Sequence, residues 1–286
     1  MQKIPLMDYV GRPLLGCLFV ALLLLQWRFP LRRQYFSVLH RLIRNFVLSI
    51  PGFAIARLAM LPIPIALALW ARERHIGLLN WLHLPTWGGV IATFVLMDYA
   101  YWWWHWAMHM VPVFWRFHNV HHTDLDLDVS TAARFHFGEM ILSIGFLSLV
   151  VVLFGIGPIM LVVFFITLEA AVLFHHSNWR LPIGVERILN LILVTPRMHG
   201  IHHSIVQRET NSNWGTMFCW WDKLHRTLRR DVPQDAITVG VAAYREENEL
   251  TLGKLFALPF RGQREWRLPN GEIPEREPKT AEKLAE

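Results

Sequence analysis

The sequence predicts an all-α membrane protein: two transmembrane helical hairpins capped by a cytosolic helical domain, with a short apolar segment ahead of them. Three observations carry that expectation. Only 17% of the 286 residues are charged, against about 25% in an ordinary soluble domain. Hydrophobic residues make up 53% of the chain and fall in long runs, as bilayer spans do. Fourteen Trp and eighteen Phe stand against five Tyr, a bias that an interfacial aromatic belt absorbs. The net charge of +6 is modest, and no basic-aromatic stripe points to nucleic acid. Cys17 and Cys219, the only cysteines, exclude a disulfide framework, a Cys-ligated zinc module and an iron–sulfur cluster held by this chain alone.

Five apolar stretches follow one another. Pro13–Trp27 is short for a span, since a perpendicular crossing takes about 20 apolar residues and at least about 17. No small-x-small cleavage site follows it, so it reads as a retained anchor or a shallow helix. Asn45–Trp70 is interrupted by Pro51, Arg57, Pro62 and Pro64. Trp87–Trp104 carries Asp98. Met140–Gly155 and Pro158–Phe174 meet at Gly-Ile-Gly-Pro, the mark of a tight helical hairpin. Arginines 28, 32, 33, 41 and 44 fill the loop after the first stretch without one acid, whereas Glu73 offsets Arg72 and Arg74 in 71–86. By the positive-inside rule that basic loop, the region 110–138 and everything after about 178 face the cytoplasm. The chain divides into an anchor with its basic loop (1–44), a membrane core with a histidine-bearing cap (45–230) and a C-terminal cytoplasmic extension (231–286). Its last sixteen residues, GEIPEREPKTAEKLAE, have the composition of a solvated tail.

Histidine is the anomaly: eleven of the fifteen lie between His105 and His203. They form three clusters, His105-x-x-x-His109, His118-x-x-His121-His122 and His199-x-x-His202-His203. On a helix, positions i and i+4 lie about 40° apart and i, i+3, i+4 span about 100°, so each cluster aims its imidazoles one way. Eight nitrogen ligands exceed one tetrahedral site and suit two metal ions with open positions. His136, in Arg134-Phe-His136, and His176, in Phe174-His-His176-Ser-Asn178, sit in suggestive settings. Asp98 and Glu169 lie seven residues before His105 and His176. Two turns keep each acid on its histidine's face but about 10 Å away, so both are given an orienting or packing role. His40, His75, His83 and His225 fall outside the pattern and read as packing or surface residues, and His175 is subordinate to His176. Tyr101–Trp104 reads as an interface belt, and Asp124, Asp126 and Asp128 as a solvated loop or helix start.

Imidazole suits zinc, copper, iron and nickel. A dinuclear zinc hydrolase is one reading, although it normally adds a carboxylate base or bridge. A metal transporter would set its ligands near the bilayer midplane, and a haem protein would show isolated axial histidines. The clusters flank apolar helices, so the substrate arrives from the bilayer and offers C–H bonds. Breaking an unactivated C–H bond takes O2 chemistry at iron or copper, and iron is favoured.

The order of the three clusters between paired spans resembles the fatty acid hydroxylase/sterol desaturase superfamily of integral-membrane di-iron oxygenases, and its bacterial members most. The match includes Asp98–Tyr101, Trp115-Arg-Phe-His118, Arg134-Phe-His136, Phe174–Asn178, Thr195-Pro-Arg-Met-His199, Asn213-Trp-Gly215 and Trp221-Asp222. The sequence departs from the common pattern at Trp106, Phe137 and Gly200, and at His225-Arg-Thr227. The resemblance implies a four-helix membrane core, a cytosolic cap, and two iron ions held by the eight motif histidines together with His136 and His176, with no catalytic residue beyond the metal centre. Asp98, Glu169, Asn178 and Asp222 are then taken as residues behind the ligands. It further implies O2 as co-substrate, hydroxylation or desaturation of a lipid such as a fatty acyl chain or sterol, and a bacterial inner membrane location. No haem, flavin or ferredoxin motif is present, so a separate electron donor is expected: a reductase, ferredoxin or cytochrome b5-like carrier, docking on the basic loop. Zinc in place of iron after purification is an accepted outcome.

Overall fold

The computed structural model describes residues 4–276, and those residues form helices and loops with three isolated bridges and no strand. Four stretches are long and apolar enough to cross a membrane: Met7–Arg28, Val38–Trp81, Phe137–Phe154 and Pro158–His176. Only 17% to 33% of each span window is buried within the protein. Leu14, Val20, Leu24, Leu149, Leu153 and Ile159 stand open, as contact with lipid requires. The chain is a membrane protein.

Helix α1 (Arg12–Arg28) is entered through one π-helical turn, Met7–Gly11, which gives the marginal first stretch a spanning length. Helix α2 (Val38–Ile55) starts at Ser37, whose hydroxyl accepts the His40 N–H. It continues through a π-helical turn, Ala56–Met60, into α3 (Pro62–Glu73), so the prolines bend the second stretch rather than end it. A short α4 (Leu78–Trp81) leads to α5 (Thr86–Met110). That helix was expected as a span, but its second half, with Tyr99, Tyr101, Trp102–Trp104 and two histidines, lowers its hydropathy, and it is not among the four candidates. The spans that qualify by composition include the second expected hairpin, Phe137–Phe154 with Pro158–His176, and the second stretch, with the N-terminal helix as the fourth. Helices α6 (Pro112–His122) and α8 (Pro158–His176) open with a first-turn proline, where the missing N–H has no intrahelical partner to lose. Between them α7 (Phe137–Phe154) ends at Gly155 in the left-handed region, φ 67°. Gly77 packs there backbone to backbone, since a Cβ on it would lie 2.3 Å from the Gly155 nitrogen.

Met97, Leu147, Phe164 and Leu168 knit α5, α7 and α8 into one apolar core. A second core, with Leu48 and Val120 packed by Tyr244, Leu250 and Leu255, folds the C-terminal segment onto α2 and α6 at the histidine end. The loop 123–128 is buried there, not solvated. Arg41 donates through Nε and Nη2 to Asp124 at 2.9 Å each and through Nη1 to Asp128 at 2.5 Å. Asp128 also caps the turn Val129–Ala133, and Asp126 accepts the Tyr35 and Phe36 N–H groups. The expected tail is docked at its start: Arg276 forks onto buried Glu209, while residues 277–286 lie outside the described residues.

Candidate metal centre

Nine histidines converge at the end of the helical core, in two groups. His105, His109, His118, His122 and His202 form one, His121, His176, His199 and His203 the other, and within each group the ligand atoms lie within 4.8 Å of one another. The groups touch, with the His122 and His203 rings stacked at 4.4 Å. The last cluster rides on α10 (Pro196–His202), which follows a short α9 (Ile183–Leu189) and again opens with proline. All eight histidines of the three clusters are thus placed, and His176 arrives from the end of α8. Each H-x-x-H-H cluster divides itself. The i,i+4 pair His118/His122 serves the first group while His121 turns to the second; His199/His203 serve the second while His202 turns to the first.

Hydrogen bonds fix which ring nitrogen faces inward. The Nδ1 atoms of His105, His121, His176 and His202 lie 2.9, 3.3, 2.8 and 2.8 Å from the carbonyls of Trp214, Arg134, Val172 and Ser212. A carbonyl only accepts, so each Nδ1 carries the proton and each Nε2 presents a lone pair. His118 donates in the same way to Glu139 at 2.9 Å. Two bare lone pairs, on His121 Nε2 and His176 Nε2, therefore face each other at 3.1 Å. Acceptors placed head to head repel unless a cation lies between them. In the first group Nε2 of His109, His118, His122 and His202 are buried without any partner, an expense that native folds avoid. Burial, and then the neighbouring imidazoles, hold His121, His122, His199, His202 and His203 well below the usual histidine pKa, so the rings are neutral and available as ligands. Nine converging imidazoles, with inward nitrogens that are unpartnered or set against one another, fit two metal ions.

Five expected site residues lie outside both groups. His136 joins neither group: its Nδ1 caps α7 by accepting the Gly138 N–H at 3.0 Å, and its Nε2 lies 3.3 Å from the Phe256 carbonyl. Asp98 reaches no histidine and instead accepts the N–H groups of Met217, Phe218 and the Trp221 ring. Asp222 accepts from the Trp214 and Gly215 N–H groups and the Trp102 ring. Together these acids hold the loop whose Trp214 and Thr216 carbonyls orient His105 and His175. Asn178 clamps the Arg32 backbone at both its N–H and carbonyl. Glu169 lines the cavity described below and bonds to no ligand. The carboxylate that does support a ligand, Glu139, escaped sequence reasoning because it reaches across from α7 to α6.

Arg32 itself is buried. Its Nη1 donates to the Pro196 carbonyl and the Gln234 side chain, and a Cβ on Gly200 would collide with it at 2.1 Å. Glycine after His199 thus makes room for a guanidinium delivered from the basic loop. Burial pushes Arg32 down to about 10. With Arg41 also buried, the exposed charge of that loop reduces to Arg28 and Arg33, Arg44 being mostly covered beside Asp124.

A cavity of about 580 Å³ runs from both groups into the membrane core. His105 and His118 line it from the first group, His121, His176 and His199 from the second, and Phe53, Leu61, Phe165 and Leu168 from the helices. Tyr101 and Trp104, expected in an interface belt, also line it, and Trp102 is buried.

A buried, two-part histidine site at the end of apolar helices, open to an apolar cavity, defines a membrane protein equipped to hold metal. The model of the fatty acid hydroxylase family matches the stretch that carries it, residues 90–227. The chain is 30% identical over 153 residues to an ornithine lipid hydroxylase of Rhizobium tropici, covering 53% of this chain and 45% of that protein. It is 28% identical to the alkylglycerol monooxygenase of Homo sapiens, over 57% of this chain and 35% of that protein. Human cholesterol 25-hydroxylase is 28% identical over 59% of this chain and 62% of its own length. In each case the match covers less than two thirds of the relative. No solved structure matches the chain.

Proposed function

We propose that the protein is a di-iron, O2-dependent oxygenase that hydroxylates a C–H bond of a membrane lipid, drawing electrons from a separate carrier at its cytoplasmic face. The observation that carries this reading is the apolar cavity joining both histidine groups to the lipid-exposed helices. A soluble substrate would not need that route, and the relatives named above act on lipids. Iron at the two groups supplies O2 reduction and C–H oxidation. The chain's own residues set the conditions. The carbonyls of Trp214, Arg134, Val172 and Ser212 hold four imidazoles with Nε2 inward, and the Glu139 carboxylate accepts from His118 Nδ1 and fixes the orientation of its ring. The apolar lining excludes water and lays a lipid chain against the ligands, and the Tyr101 hydroxyl and Glu169 carboxylate offer polar contacts along the way. The test is incubation of iron-loaded, reduced protein with O2 and a total lipid extract, read by mass spectrometry. A lipid gaining one oxygen, dependent on His176, is expected. Ester or amide cleavage without O2 would replace this reading with the zinc hydrolase.

A further inference from the structure

The residues Tyr99, Trp102, Trp214 and His225 lie outside both histidine groups and do not line the lipid cavity. They form a continuous aromatic column beside the centre. At its inner end Trp214 does two things: its carbonyl holds His105 at 2.9 Å, and its ring lies 6.5 Å from the ring of His109, centroid to centroid. Trp102 stands edge-on to Trp214 at 5.7 Å and stacks on His225 at 4.0 Å. His225 in turn stacks on Tyr99 at 5.8 Å, with its Nε2 3.1 Å from the Tyr99 hydroxyl. These are contact distances for aromatic rings. Trp102 is 2% exposed, while its neighbour Trp103, in contact with Tyr99, is 43% exposed. The column therefore runs from the interior to the surface.

Two of its three oxidisable rings have a proton acceptor at the atom that sheds a proton on oxidation, whereas the Trp214 Nε1 is buried without one. Trp102 Nε1 donates to Asp222 at 3.0 Å, and the Tyr99 hydroxyl faces His225. A buried indole finds a partner in most folds. Packing alone does not ask for a half-buried phenol paired with an imidazole that is itself stacked on the next ring in line.

We propose that Trp214, Trp102 and Tyr99 form a one-electron relay that discharges the metal centre when no lipid C–H bond is in reach, with His225 as the proton acceptor. The relay rests on the oxygenase reading, which supplies the oxidant. One electron leaves Tyr99, passes through Trp102 and Trp214 and lowers the oxidation state of the centre by one unit. The phenol proton moves to His225 Nε2, leaving a neutral tyrosyl radical and an imidazolium. A one-electron carrier, the class of donor that the oxygenase reading already requires, reduces the radical at the surface, and the proton returns from His225.

The test mixes iron-loaded, reduced protein with O2 in the absence of lipid and freeze-quenches it. Paramagnetic resonance is recorded with and without ring-deuterated tyrosine, and iron oxidation is followed by Mössbauer spectroscopy. Oxidised iron with a tyrosyl signal that narrows on deuteration is expected, the signal being lost in Tyr99→Phe at equal iron content. After repeated O2 cycles, peptide mapping should show several-fold more oxidation of Trp214 and His109 in Tyr99→Phe. Trp102→Phe should act alike, but it alters a buried ring, so Tyr99→Phe, which removes one hydroxyl, decides. Oxidised iron with no tyrosyl signal, or a signal and damage pattern unchanged in Tyr99→Phe, overturns the relay alone. Iron that O2 does not oxidise overturns the oxygenase reading and the relay with it.

Discussion

The two histidine groups are built differently. Four of the five histidines in the first come as two i,i+4 pairs, His105/His109 and His118/His122, on the consecutive helices α5 and α6. The second has one such pair, His199 on α10 with His203 at its C-terminal cap, completed by His121 from α6 and His176 from α8. The first group is mostly local, set by one helical corner at Val111–Pro112; the second exists only once three separate elements meet. The first has a carboxylate behind it, Glu139, whereas the second is oriented through the Arg134 and Val172 carbonyls. A locally built site tolerates loosening of the tertiary fold better than one assembled from distant parts, and this difference can be broken or sharpened by mutation.

The largest effect is expected where a single element supplies a single ligand. His176→Ala removes the only ligand from α8 and should strip metal from the second group while leaving the first loaded. Turnover should fall by more than about 100-fold, beyond what loss of a supporting partner costs. Metal analysis of the variant checks it; loss from both groups at once would show them to be one cooperative unit.

Next in size is the ionic support beneath both groups. Arg41→Ala leaves buried Asp128 without its cation and buried Asp124 with only the longer Arg44 pair at 3.8 Å, a loss of about 3–5 kcal/mol that thermal unfolding would register. The same network sets an acid limit. Burial would raise Asp124, but Arg41 and Arg134 overcome that and hold it below the usual carboxylate range. A carboxylate depressed in the folded state contributes stability above its unfolded pKa, about 3.9, and that contribution is lost as pH falls below it. Unfolding temperature should therefore drop steeply below about pH 4, and less steeply in Asp124→Asn.

Glu139→Gln tests the carboxylate alone. It should weaken metal binding at the first group by about 10- to 100-fold and leave the second unchanged; equal weakening of both would contradict the separation of roles. The smallest effect is expected at His136. His136→Ala removes the cap of α7, worth about 1 kcal/mol, and should leave metal content as in the wild type.

How much of this was legible in the sequence follows from the same contrast. Spacing along one helix exposes i,i+4 pairs, so the His105/His109, His118/His122 and His199/His203 pairs could be read directly. It does not show that the middle histidine of each H-x-x-H-H cluster serves the opposite group, because that depends on how α6 and α10 face each other. The same limit misdirected the search for supporting acids. Asp98 and Glu169 share a face with their histidines but stand two turns off, and Asp98 secures a loop instead. Glu139, three residues past His136, reaches its histidine across a helix corner, which no single-helix spacing reveals. His136 was misleading because histidine is not among the usual capping residues. The burial of Arg41 against Asp124 joins the basic loop to a loop far along the chain, so each looked solvated on its own.

The central claim is that the nine histidines hold two metal ions rather than one or none. Elemental analysis of protein expressed with iron and purified anaerobically, paired with Mössbauer spectroscopy, tests it most directly. Close to two metal ions per chain, with iron in two distinguishable histidine environments, is the expected result. A single ion, or well-folded protein that binds no transition metal at all, would contradict it.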